Sequence, residues 1–196
     1  MKKIILGLFI LCYSYAIIRY HIGKNIPFIE WHYVLNKAFA WSGFLLIGIT
    51  LFSLKWFSDR NLTRTSFGIS GYLFCSTHIL GNLILMNENR FPFLYESANE
   101  LSWLGISSIT LGIVSFCFFS IAFIGSLDVF GFSSRKKKNL LQFGKYGFLI
   151  SVSHPLVMSY NRWNLSNWPL WLPPISLICV ITGIALLLFR LKRKFP

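Results

Sequence analysis

Two histidines, His78 and His154, stand inside long apolar stretches of this 196-residue chain. An ionisable side chain in a spanning helix costs a few kcal/mol, so it needs a partner or a task. Two imidazoles facing each other at one depth of a helical bundle have an obvious task, the ligation of a metal. In a membrane bundle the commonest such metal is haem iron. That chemistry depends on helices that bring both rings to the same height.

The composition says what kind of helices these are. At 55% hydrophobic residues the chain is too apolar for a soluble domain, and at 196 residues it is too short for two domains. It is expected to be all-α, a single polytopic transmembrane domain over residues 1–196. The net charge of +13 does not point to nucleic acid, because the Lys and Arg residues fall in short blocks between apolar runs rather than on one face of a soluble fold. Cys12, Cys75, Cys117 and Cys179 all lie in apolar stretches, where thiols act as small hydrophobes, and no CxxC pair is present. GxGxxG and P-loop patterns are likewise absent.

A hydrocarbon core of roughly 30 Å calls for spans of about 20 apolar residues. Six are expected, at about 4–20, 35–57, 66–87, 102–126, 140–160 and 172–190. The first resembles a signal peptide in its Met1-Lys2-Lys3 start but has no small-residue cleavage site, so a retained helix is expected. Lys2 and Lys3, then Lys55, Arg60 and Arg64, then Arg135 to Lys138, then Arg190, Lys192, Arg193 and Lys194 fall on one side. The opposite loops hold scattered charges of both signs and the interfacial aromatics Trp31, Tyr33, Trp163, Trp168 and Trp171. The positive-inside rule then places both termini in the cytoplasm, and the expected location is a bacterial inner membrane.

On this topology the third and fifth spans both run outward. His78 and His154 stand roughly 20 Å and 22 Å along them at 1.5 Å per residue, in the outer half of the bilayer. Gly71 and Gly147 each precede their histidine by seven residues, on nearly the same face, and Gly81 follows His78 by one turn. All three are candidates for making room for a macrocycle, although glycines serve close helix packing equally well. Ser151 and Ser153 are candidates to orient His154, and Pro155 to bend its helix. His21 and His32 belong to the outer interface, where a partly solvated histidine is the default. Lys37 and Arg90 are further candidates for a role near haem propionates.

The motifs around the two histidines resemble a known family. Arg64-Thr-Ser-Phe-Gly-Ile-Ser-Gly-Tyr-Leu-Phe-Cys-Ser-Thr-His78 is similar to the "R-x-x-LG-x-x-x-F…H" helix of ferric reductase-like transmembrane domains. Leu141-Gln-Phe-Gly-Lys-Tyr146, leading to His154, resembles that family's "L-[HQ]-R-L-x-Y…H" helix, and Leu35-Asn-Lys-Ala38 is also similar. The resemblance covers about residues 31–163. Relatives in that family include the membrane parts of ferric reductases and NADPH oxidases, and the haem subunit of the periplasmic methionine sulfoxide reductase system. It implies a six-helix b-type cytochrome that carries electrons across or along the membrane. Members with two haems bear further histidines near the positions of Arg64 or Thr65 and of Gln142, and none stands there in this chain. One haem b per chain is therefore expected, held noncovalently since there is no CxxCH motif.

The leading expectation is an electron-transfer component of an oxidoreductase system, with His78 and His154 as axial ligands. Quinol or a reductase partner would be the donor and an outer-face protein the acceptor. The alternatives are a small non-haem transporter, for which Asp128 is the one intramembrane carboxylate candidate, and a structural subunit of a membrane complex. The basic run at 135–138 fits a topology anchor touching anionic lipid.

Overall fold

The computed structural model describes residues 2–52, 61–97 and 100–192, with side chains for all of these except residues 52, 61–64, 128 and 189–192. Lys55, Arg60, Arg193 and Lys194 fall outside the described residues, as do the side chains of Arg64, Asp128, Arg190 and Lys192.

Six long helices make up the molecule: α1 Lys2–Ala16, α2 Trp31–Phe52, α3 Asn61–Leu85, α4 Trp103–Ser126, α5 Ser134–Ser159 and α6 Ile175–Lys192. Each packs on its predecessor, and α2 also meets α5 and α6, which makes it the central helix. Among the described residues, five segments are long and apolar enough to cross a membrane: Lys2–Ile22, Phe28–Leu51, Thr65–Leu85, Trp103–Ser126 and Pro169–Leu188. The chain is an integral membrane helix bundle. The sixth expected span departs from this pattern. At 26 residues α5 is long enough, yet it is not among the segments apolar enough to cross. It begins at Ser134 rather than near 140, so Arg135 to Lys138 form its first turns, and Asn139, Gln142, Lys145, Ser151, Ser153 and His154 follow.

Local chemistry sets the helix ends. Ser102 caps α4 by accepting a hydrogen bond from the Gly105 amide at 3.0 Å, and Ser133 caps α5 by accepting from Lys136 at 3.4 Å. Within the helices, Ser42, Ser76 and Ser120 return their hydroxyls to carbonyls four residues back, which satisfies them without water.

The ends of the bundle differ. At the end where α5 begins, the cations of its first turns are exposed or half-buried. At the other end, here the aromatic end, Trp31, Trp103 and Trp171 are exposed. There a small antiparallel pair, β1 Tyr95–Ser97 and β2 Glu100–Leu101, leads into α4. At this end α1 also widens into a π-helical turn, Ile17–Ile22, in which the successive residues Arg19, Tyr20 and His21 are all buried.

Candidate functional site

His78 sits in a closed ring of three hydrogen bonds drawn from two helices. Its Nδ1 lies 3.1 Å from Asn36 Oδ1 on α2. Asn36 Nδ2 donates to Asn82 Oδ1 at 2.8 Å. Asn82 Nδ2 lies 3.1 Å from His78 Nε2. The pattern closes with one assignment: Nδ1–H donates to Asn36, and the Nε2 lone pair accepts from Asn82. Asn82 stands four residues after His78, one helical turn along the same face of α3.

His154 is held more simply. Its Nδ1 is 2.8 Å from the Ser108 carbonyl on α4 and 3.3 Å from the Ser108 hydroxyl. With Nδ1–H donating to that carbonyl, Nε2 carries the lone pair. Each histidine is thus oriented through Nδ1 by a neighbouring helix, His78 by α2 and His154 by α4. The two imidazoles lie within electrostatic range of one another, and Lys37 lies within range of both. Neither ring is sealed, since both residues are only half-buried.

The glycines lie at close contacts between helices. A Cβ on Gly71 would come within 2.8 Å of Ile47 Cγ1 and 3.0 Å of the Ile47 amide nitrogen, and one on Gly43 within 3.0 Å of the Gly71 carbonyl oxygen. This is a close backbone approach of α2 and α3. A Cβ on Gly81 would come within 2.6 Å of Asn36 Oδ1, so the bare backbone there admits Asn36 to the ring of bonds around His78. Gly147 faces Phe119, 2.9 Å from where its Cβ would be, and its carbonyl accepts from Ser115 at 2.9 Å. Beside His154 the small residue is Gly112, whose Cβ would meet the imidazole at 3.5 Å, an ordinary contact.

The other sequence candidates are scattered. Ser151 bonds the Phe148 carbonyl at 2.7 Å, and it is Ser108 that orients His154. Pro155 is buried within α5. His21 is buried rather than solvated: it bonds the Ile26 carbonyl at 2.9 Å through Nδ1 and stacks on Phe28 at 4.6 Å. His32 lies 3.4 Å from Glu30, which Arg90 reaches at 2.9 Å. Glu30 and Arg90, with Ile26, Tyr33, Asn87 and Asn89, line a cleft of about 520 Å3 at the aromatic end. Thr65 and Gln142 are exposed on their helices.

Whether these residues suit a bis-histidine haem turns on the two Nε2 atoms. An imidazole whose Nδ1–H is fixed by an acceptor presents Nε2 to a metal, and such an orienting bond also raises its basicity. His154 meets this condition as it stands. His78 meets it on the Nδ1 side, while Asn82 occupies its Nε2. That contact is made from one turn away on the same helix, so a rotamer change of Asn82 releases it, breaking the Asn36–Asn82 bond as well and leaving Asn36 bonded to His78 Nδ1 alone. In donor chemistry the two imidazoles suit the group once Asn82 has turned away. Asn36, Ser108 and Gly112 were not legible as site residues, because nothing in one helix's sequence names its neighbour. Asn82 carried a signal, its four-residue spacing from His78. No family model and no curated protein matches the chain.

Proposed function

We propose that this protein is a six-span b-type cytochrome that passes electrons through one haem held between His78 and His154 in the outer half of the bilayer. The observation that carries the reading is shared by the two histidines. On separate helices, each commits Nδ1 to an acceptor from a neighbouring helix, Asn36 Oδ1 at 3.1 Å or the Ser108 carbonyl at 2.8 Å. His78 and His154 would hold the haem, which when bound would supply one-electron redox chemistry. The chain's own part would be to hold the two rings in a fixed tautomer. Asn36 and Ser108 would strengthen the two nitrogens as ligands, and Asn82, which bonds the Nε2 of His78, would have to turn away to leave it free.

With α5 as the sixth span, both termini fall on the side of the basic run at 135–138, the cytoplasmic side by the positive-inside rule. Electrons would then enter from membrane-dissolved quinol or from a reductase partner and leave to an acceptor at the outer face. Gln142 is exposed on α5, which supports one haem rather than a stacked pair.

A second reading is favoured by the ring around His78. A closed cycle of three hydrogen bonds is also what a structural polar network looks like in a membrane, where such bonds lock helices together. In that case the chain is a non-haem transporter or a structural subunit. The reduced-minus-oxidised absorption spectrum of protein purified from haem-replete cells decides between them. The cytochrome reading expects a Soret band and sharp visible bands at one haem per chain, and a featureless spectrum refutes it.

A further inference from the structure

Four cations converge at the aromatic end, with no carboxylate among them in the described residues. They come from separate parts of the fold: Arg19 from the π turn, Lys24 from the linker after it, Lys37 from α2 and Arg162 from the turn that follows α5. Lys24 lies within electrostatic range of the other three, and Lys37 within range of Arg162. They gather around Tyr20 and Tyr33, whose rings meet edge to face at 6.0 Å. The carboxylate beside Tyr33 in the sequence, Glu30, is turned instead to Arg90 and His32.

What surrounds the four groups is aromatic or neutral. Lys37 Nζ lies 4.9 Å from the Tyr33 ring centre and 5.0 Å from that of Phe91. Lys24 Nζ is 5.9 Å from Tyr20, and the Arg162 guanidinium stands 3.7 Å above Phe93. Arg19 is 2% exposed. It donates from Nη1 to the Leu172 carbonyl, while its Nε is buried without a hydrogen-bond partner. Ring faces soften a cation's loss of water but do not cancel mutual repulsion. The four charges range in burial from the exposed Lys24 and Arg162 through the half-buried Lys37 to the buried Arg19. Positive charge is sparse on the outer side of membrane proteins, so its concentration at this end runs against the general trend.

We infer that this cluster is a binding site for an oxyanion, a carboxylate or phosphate group, with Lys37, Arg162 and Arg19 Nε as its donors. The cleft lined by Tyr33 opens beside it. Lys37 lies within electrostatic range of Arg162 and of both histidines, so the anion would sit on the aromatic-end side of that pair. Three sources share this chemistry: a dissolved phosphate, the headgroup of an anionic lipid, and the propionate of a porphyrin. Only the third rests on the haem reading.

The test uses the full chain and reads thermal unfolding. It compares added inorganic phosphate with none, phosphatidylglycerol nanodiscs with phosphatidylcholine nanodiscs, and a free-acid porphyrin with its dimethyl ester. At least one arm should raise the Tm of the wild type. In that arm Lys37→Gln and Arg162→Gln should each weaken binding on the order of tenfold or more, the scale of losing a charge-assisted hydrogen bond. Without ligand both variants should be at least as stable as the wild type, because each removes repulsion. A structural role for the cations predicts the opposite, less stable variants with no dependence on ligand. No stabilisation in any arm, or undiminished binding in both variants, overturns the inference. If His78 and His154 bind no haem, the phosphate and lipid arms stand unaffected.

Discussion

His78 and His154 occupy matching places in the sequence, each mid-helix and each seven residues after a glycine, yet their surroundings differ in kind. His78 has both ring nitrogens engaged by Asn36 and Asn82. His154 has its Nδ1 engaged by Ser108, the carbonyl on one face and the hydroxyl at longer range. One imidazole is closed into a polar network, and the other is oriented with its lone pair to spare. Residue type and depth alone therefore do not tell a ligand from a structural lock. What tells them apart is whether the second nitrogen is taken, and by how movable a partner.

Substitutions can force the two sites apart or make them alike. The largest effect is expected from His154→Ala and His78→Ala, each of which should abolish haem retention in the purified protein, as read from haem extracted per chain. Retention of haem by either variant would remove that residue from the axial pair. Next is Asn36→Leu, which takes away the acceptor for His78 Nδ1–H. Loss of such an orienting partner lowers metal affinity about 10- to 100-fold, measured by haem transfer to an acceptor protein. Asn82→Ala should not weaken haem binding, since it frees Nε2, and equal losses in Asn36→Leu and Asn82→Ala would mark the ring as purely structural.

A smaller effect is expected at Gly81. Its added Cβ would lie 2.6 Å from Asn36 Oδ1, so Gly81→Ala should destabilise the bundle by about 1–3 kcal/mol, the usual range for overpacking. Gly112→Ala, whose Cβ would lie 3.5 Å from His154, should be near neutral in the same unfolding assay. The smallest effect concerns pH. Desolvation and then the charges of Arg19, Arg162 and Lys37 hold the Lys24 ammonium below its usual 10.5. A lysine lowered in the folded state opposes folding while it is protonated. The ligand-free protein should therefore gain stability as pH rises through the folded pKa toward 10.5. Lys24→Gln should flatten that gain, which thermal unfolding across this pH range would register.

Much of the architecture could be read from the chain, because long apolar runs and their charged borders are properties of single segments. Helices α4 and α6 lie within a few residues of expectation, and α3 starts five residues earlier, at Asn61 rather than Ser66. α2 starts four residues earlier, at Trp31 rather than Leu35, since a 3-10 turn at Phe28–Glu30 leads directly into it. The π turn carried no legible signal. The histidines stood out by type, but the roles of Gly71, Gly81 and Gly147 could not be read, because spacing fixes the face of a helix and not what lies against it. Gly81 meets Asn36, a residue 45 positions away in the sequence. The aromatic-end cations were hidden for the same reason: Arg19, Lys24, Lys37 and Arg162 are neighbours only after four elements have come together.

The polarity of α5 carries over to how the protein is made. A helix opening with Arg135 to Lys138 and carrying Lys145, Gln142 and His154 has little tendency to leave the translocon for lipid by itself, as each charged residue near mid-membrane is penalised by about 2.5–3.5 kcal/mol. Its most extensive packing is with α4, the helix synthesised just before it. Seven residues separate them, 127–133. If α5 is the sixth span, the two are thus suited to enter the membrane as a hairpin, with α4 offering the Ser115 hydroxyl and the Ser108 carbonyl to a partner that lipid alone would not accept. Assembly of the site would then begin during biogenesis, with His154 already turned toward α4 before α6 has left the ribosome.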